Sequence, residues 1–259
     1  MNLARADLES LLRARQLDRT LTTALAEIDP RDESVLAPSG IAALDARLGG
    51  GFPRGQLSEI VGLRSSGRTS LQLQMLAAAT TRGELVASVD ALDMLDVASA
   101  ASAGVDLARL LWIRGHVVSN PGMCRDLNQR ALEQAIRALT LVLQAGNFGL
   151  VVFDAAEAPA DAVRRLPFTT WLRLQRIIEG SQTACVLVST EPMARSSAGL
   201  MLRLGTAWVT AGIRGSGLGM RFQNCLFDGL SVEARVIRAR AREQEEATAS
   251  FSTVASDCA

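Results

Sequence analysis

The sequence predicts an α/β fold: a mostly parallel sheet flanked by helices, with a helix in front and antiparallel strands at the end. Three observations carry this expectation. Short apolar runs, QLSEIVG (56–62), ELVASVD (84–90) and GLVVFDAA (149–156), have the length and composition of strands. They are separated by stretches of helical length such as TSLQLQMLAAATTRG and CRDLNQRALEQAIRALTLVLQAG. Strands alternating with helices over such a span form a parallel sheet covered on both faces.

In chain order, residues 3–28 place Leu3, Leu8, Leu11, Leu12, Leu17, Leu21, Leu25 and Ile28 at three- and four-residue spacing, which predicts an amphipathic helix. The turn-forming stretch DPRDESVLAPSG follows, and residues 1–33 are therefore read as a unit ahead of a core at 34–242. Within that core, strand 56–62 runs into a glycine-bearing loop and a helix closed by Gly83. Strand 84–90 precedes the helix MLDVASAASAG, and RLLWIRG (109–115) is the third strand. A long helix over about 124–145 leads to strand 149–156, which ends in Asp154. TTWLRLQRIIEG is the next helix and ACVLVST (184–190) the next strand; AWVTAGI and VEARVIRAR read as late antiparallel strands. Residues 243–259 are polar and acidic and read as a disordered tail.

Composition excludes several classes. No apolar run reaches the length of a membrane span, and the charged N-terminus has no signal-peptide core. Cys124, Cys185, Cys225 and Cys258 have no CxxC spacing, and His116 is the sole histidine. A metal cluster or disulfide framework is not expected, and a cytoplasmic location is. Net charge is zero, yet residues 160–242 carry twelve arginines against five acids, so a basic face is possible there. Arg235, Arg238, Arg240 and Arg242 alternate with apolar residues, as in a charged strand edge. Trp112, Trp171 and Trp208 lie in apolar surroundings and read as core.

The chemistry centres on GLRSSGRTS (62–70). In a P-loop, backbone N–H groups at a helix N-terminus cradle phosphate, a lysine reaches the β/γ-phosphates, and a Ser/Thr hydroxyl binds Mg²⁺. Gly62, Ser65, Ser66, Gly67, Thr69 and Ser70 satisfy that pattern between a strand and a helix, while Arg68 stands where lysine is usual. The chain contains no lysine, so Arg68 by itself says little about lost activity. Asp154, at the end of an apolar strand, is placed to support a remnant Mg²⁺ site with Thr69.

The run SGIAALDARLGGGFPRGQLSEIVGLRSSGRTS, followed by VDALDMLDVASAASAGVDLARLLWIRG, LVVFDAA and CVLVST, resembles the RecA-like P-loop NTPase core over roughly residues 35–240. The resemblance implies a catalytic glutamate after the second strand, where this chain has Leu92, which cannot activate water. The implied adenine-stacking tyrosine falls on Ser99, and Asp96 matches an acidic position near the base. Both DNA-contacting loops are short, between Asp154 and Trp171 and between Thr190 and Leu200. The expectation is therefore no catalytic residue, with weak or absent binding of ATP and Mg²⁺.

Such a degenerate core is similar to the ImuA family of SOS-mutagenesis RecA relatives. That resemblance implies a non-catalytic adaptor in translesion synthesis, binding an inactive Y-family polymerase relative (ImuB), beside an error-prone C-family polymerase. RecA filaments and DNA are further contacts it implies, the N-terminal helix and the late arginines being candidate surfaces. A weakly active DNA-dependent ATPase or recombinase and an SOS cell-division inhibitor are the alternatives.

Overall fold

The computed structural model describes residues 35–115, 125–194, 197–208, 229–239 and 248–254. Backbone contacts divide the chain into Met1–Asp32 and Glu33–Ala259, and every described residue belongs to the second unit. The N-terminal helix expectation, His116, Cys124, Cys225, Arg240, Arg242 and Cys258 lie outside the described residues, as does the side chain of Trp208.

The described strands are β1 (Leu36–Ala37), β2 (Phe52–Pro53), β3 (Leu57–Gly62), β4 (Val86–Asp90), β5 (Leu110–Arg114), β6 (Leu150–Asp154), β7 (Ala184–Ser189), β8 (Leu200–Trp208), β9 (Gly229–Ala239) and β10 (Thr248–Val254). The α-helices are α1 (Ala42–Leu48), α2 (Arg68–Thr81), α3 (Val97–Ser102), α4 (Arg125–Ala145), α5 (Ala160–Arg164) and α6 (Phe168–Ile178). β1 and β2 form a small antiparallel ribbon. The other eight strands form one sheet in the order β10-β9-β8-β3-β7-β6-β4-β5. From β8 to β5 every pairing is parallel, and β9 and β10 add antiparallel neighbours at one end.

Alternate residues of the central strands feed two cores. Val151 and Phe153 of β6 join Leu132, Ile136 and Leu139 of α4 and Trp171 and Leu174 of α6 on one face. Leu150 and Val152 join Leu44 of α1 and Leu71, Met75 and Leu76 of α2 on the other. The fully buried Trp171 meets Phe153 edge-on, with ring centroids 6.3 Å apart. At the N-terminal ends of the strands, the mostly buried Arg54 donates to the carbonyls of Leu36, Gly149 and Gln182 and pairs with Glu84 at 2.8 Å. This clip fixes the end of the sheet opposite the loops described below.

Four sequence expectations change. β8 begins at Leu200 and pairs parallel with β3, so the late strand starts earlier than AWVTAGI; residues 209–213 of that run lie outside the described residues. Residues 248–254, read as part of a disordered tail, form β10 along β9, from Thr248↔Arg235 to Val254↔Gly229. Alternation wins there over polar composition: Ala249 is buried and Phe251 half-buried, while Thr248 and Ser250 are exposed. Trp112 is not core. It lies half-buried on the edge strand β5, with the Arg114 guanidinium 4.7 Å from its ring centroid. The proposed loop between Asp154 and Trp171 contains α5, whose Ala162 and Val163 are buried in the α4/α6 core.

Candidate nucleotide site

The turn from β3 into α2 forms a phosphate cradle because two glycines permit close approach. A Cβ at Gly62 would lie 2.4 Å from Ser66 Oγ. Gly67 has φ 85°, and a Cβ there would lie 2.5 Å from Cγ2 of Val232 on β9. Any larger residue would be strained in conformation and would clash at Gly67. No side chain caps the N-terminus of α2, so its first backbone N–H groups keep the donor capacity that favours an anion. Thr69 and Ser65 are exposed and Ser70 half-buried, whereas Ser66 is buried with no partner for its hydroxyl. Ser65 holds φ 59°, an uncommon conformation for a non-glycine residue.

Arg68 does not extend into solvent. Its side chain is 5% exposed, donates from Nη1 to the Ala156 carbonyl at 3.2 Å, and places Nη2 3.8 Å from Glu157 Oε1. Burial pulls its pKa below the usual guanidinium value, with Asp154 and Glu157 opposing that pull. Glu157 also pairs with Arg64, which stands exposed on the same loop. The loop's two cations are thus engaged by the segment following β6.

Asp90 and Asp154 face each other in register at the C-terminal ends of β4 and β6. Asp90 is buried; its Oδ2 accepts from the Leu95 amide at 2.7 Å and from Trp112 Nε1 at 3.3 Å, and its Oδ1 has no partner. Asp154 accepts the Ala156 amide at 2.8 Å through Oδ1. Burial raises the Asp154 carboxyl to about 6, Asp90 adds to the rise, and the Ala156 amide, Gln72 and Arg68 oppose it. Between its ordinary value of 3.8 and about 6, the folded chain retains a proton that the unfolded chain has released. The contribution of Asp154 to stability therefore falls as pH rises through that window and is least favourable above it. Asp154→Asn is expected to raise stability by about 3 kcal/mol at pH 7.5. The gain should shrink to near zero at pH 4, as measured by urea unfolding.

Leu92, two residues beyond β4, is 4% exposed and belongs to the apolar cluster on the α4/α6 face. Asp96 is the N-cap of α3 and accepts from the Ser99 amide at 2.9 Å and from the Ser99 hydroxyl. The pair that the resemblance places near the base is therefore engaged in capping. Of the predicted site residues, the structure brings Gly62, Ser66, Gly67, Arg68 and Asp154 into one neighbourhood at the strand ends, where Asp154 acts electrostatically on Arg68.

The described parts of the two segments expected at DNA-contacting positions are fastened to the protein. Arg164 of α5 forms a two-pronged pair with Glu191 at 2.8 and 2.6 Å. Met193, Ala194 and Ala198 are buried in the α4/α6 core. The buried Glu59 of β3 accepts the Met193 amide at 2.6 Å and the Ala194 amide at 2.7 Å. Burial raises the Glu59 pKa, against the two amides and Arg238. Sequence reading missed Glu59, Arg64, Glu157 and Arg164, because their partners stand far away in the chain. Cys185 is a buried core thiol pushed up to about 12, which removes it as a nucleophile. Among the described residues no group of three or more His, Cys, Asp or Glu could hold a metal ion. No described helix is long and apolar enough to cross a membrane.

A strand, a glycine loop and a helix at the carboxyl edge of a parallel sheet, facing a strand-end aspartate, define a P-loop α/β core. Residues 18–163 match the RecA N-terminal domain, more than half of the sequence, so the chain belongs to the RecA N-terminal domain family. It is 36% identical over 156 residues to Protein RecA of Clavibacter michiganensis subsp. michiganensis, covering 54% of this chain and 39% of that protein. To Protein RecA of Acholeplasma laidlawii it is 39% identical over 132 residues, covering 50% of this chain and 36% of that one. To Protein RecA of Nocardioides sp. (strain ATCC BAA-499 / JS614) the figures are 40% over 124 residues, 48% and 31%. The chain thus matches well under half the length of these relatives.

The cradle fits a phosphate chain: two glycines admit it, the α2 N-terminus is uncapped, and the Ser66 hydroxyl is unpartnered. Leu92 is apolar and packed, and Arg68 is tied to Ala156 and Glu157.

Proposed function

We propose that this chain is a non-catalytic RecA-like adaptor in SOS-induced translesion synthesis and mutagenic DNA repair, acting in the cytoplasm. One observation carries the reading: Leu92 packs in the core at the position where the family resemblance requires the water-activating base. Loss of such a base costs about 10²–10⁴ in rate. Arg68 adds to that loss, because a guanidinium held by a carbonyl and a carboxylate is not a compact charge facing a phosphate.

A nucleotide, where held, would sit against the amides of the α2 N-terminus, with Ser66, Thr69 and Ser70 as hydroxyl partners. Thr69 and Asp154 would support Mg²⁺, which supplies charge neutralisation of the phosphates when bound. Burial and Asp90 raise the Asp154 carboxyl to about 6, so it is mostly ionised near neutrality and loses its hold on a cation as pH falls through that value. The fastening of the Asp154–Trp171 and Thr190–Leu200 segments supports protein docking over strand exchange on DNA.

The proposed partners are the inactive Y-family polymerase relative ImuB and, with it, the error-prone C-family polymerase, with RecA filaments and DNA as further contacts. Co-purification of the chain with ImuB tests the reading. Stable capture is expected, and capture should survive Thr69→Ala, since docking does not require a held nucleotide. Failure to capture ImuB, with capture of the division protein FtsZ instead, would favour the cell-division alternative.

A further inference from the structure

We propose that Glu157 gates the phosphate cradle: its carboxylate engages both arginines of the loop, and a polyphosphate binds only by displacing it. The inference concerns regulation of the site described above and rests on its reading as a P-loop core. Glu157 lies three residues beyond Asp154, in the turn between β6 and α5, while Arg64 and Arg68 belong to the loop between β3 and α2. Its two carboxylate oxygens divide between them, Oε2 toward Arg64 and Oε1 toward Arg68 at 3.8 Å. A carboxylate and a phosphate offer a guanidinium the same paired-oxygen geometry, so the two compete for one fork.

Exposure gives the contact its direction. The side chain of Arg64 is 79% exposed, that of Glu157 20%, and that of Arg68 5%. Arg68, the deeper cation, is thus more enclosed than the carboxylate that partners it. Charge balance agrees: Asp154 and Glu157 offset Arg64 and Arg68, so the side chains around the cradle present no net positive field to an anion. The attraction left for a phosphate comes from the uncapped α2 amides and the unpartnered Ser66 hydroxyl. Glu157 stands on a turn, where it can swing away without breaking a strand pairing.

The test is a calorimetric titration of inorganic tripolyphosphate into the full chain at low ionic strength, for wild type, Glu157→Gln and Glu157→Gln/Arg68→Ala. Glu157→Gln keeps the shape and removes the charge. It is expected to bind at least about tenfold tighter than wild type, and the double variant should lose that gain. A Glu157 that merely braces the turn would lower the thermal midpoint on substitution and leave affinity unchanged. Equal affinity of wild type and Glu157→Gln, including no binding by either, overturns the gate. ImuB capture measured on the same samples separates the two proposals. Capture without an affinity gain leaves the adaptor standing and removes the gate; a gain accompanied by DNA-stimulated ATP turnover does the reverse.

Discussion

Leu92→Glu is expected to lose about 3 kcal/mol of folding stability at pH 7.5 and to gain no ATP turnover. Leu92 is 4% exposed within an apolar cluster that includes Ala91, Leu132 and Phe153. A carboxylate placed there gives up its hydration, and the cluster offers apolar side chains in return. Burial would raise the pKa of the new glutamate, so the folded state would hold its proton above the pH at which the unfolded chain releases it. The penalty is therefore full above the raised pKa and shrinks as pH falls toward 5. Urea unfolding at pH 7.5 and 5 reads both the loss and its relief. Restoring the residue type does not restore the reaction, because Arg68 remains held by Ala156 and Glu157.

Glu59→Ala is the second large effect, with an expected cost of about 3 kcal/mol. Glu59 accepts two short amide bonds, from Met193 and Ala194, and the truncation leaves both donors buried without an acceptor. Glu59→Gln keeps an acceptor oxygen and removes a charge that burial disfavours, so it should cost much less. Hydrogen exchange at the Met193 and Ala194 amides locates the effect: Glu59→Ala should speed it strongly, and Glu59→Gln only slightly. The pair of variants tests whether the short Thr190–Leu200 segment is closed onto the sheet by design of β3. Equal exchange in all three proteins would show that the segment is held by packing of Met193, Ala194 and Ala198 instead.

The parallel core was legible because its strands are apolar on both faces and its helices carry their own periodicity; GLVVFDAA became β6 and the long amphipathic stretch became α4. The loop was legible for a different reason: Gly62 and Gly67 are demanded by close approach, and such positions leave a fixed spacing. β10 was not, because TASFSTV is polar by composition and becomes a strand only through the partner β9 provides. Trp112 misled similarly. An apolar run says strand, while the sheet order decides that β5 is an edge and that Arg114 covers the ring. The Glu157 contact could not be read from the sequence at all. Arg64 and Glu157 are 93 residues apart, and only the placement of β6 two strands from β3 brings their loops together. Leu92 was visible as a residue type out of place, and the structure adds that it is packed rather than merely substituted.

The central claim is that this core keeps the cradle without the chemistry. Steady-state ATP turnover by the purified chain, with and without single-stranded DNA and with Mg²⁺ present, tests it most directly. Turnover at the level of a Gly67→Val control is expected in both conditions, whatever nucleotide the wild type holds. DNA-stimulated turnover that Gly67→Val abolishes would contradict it.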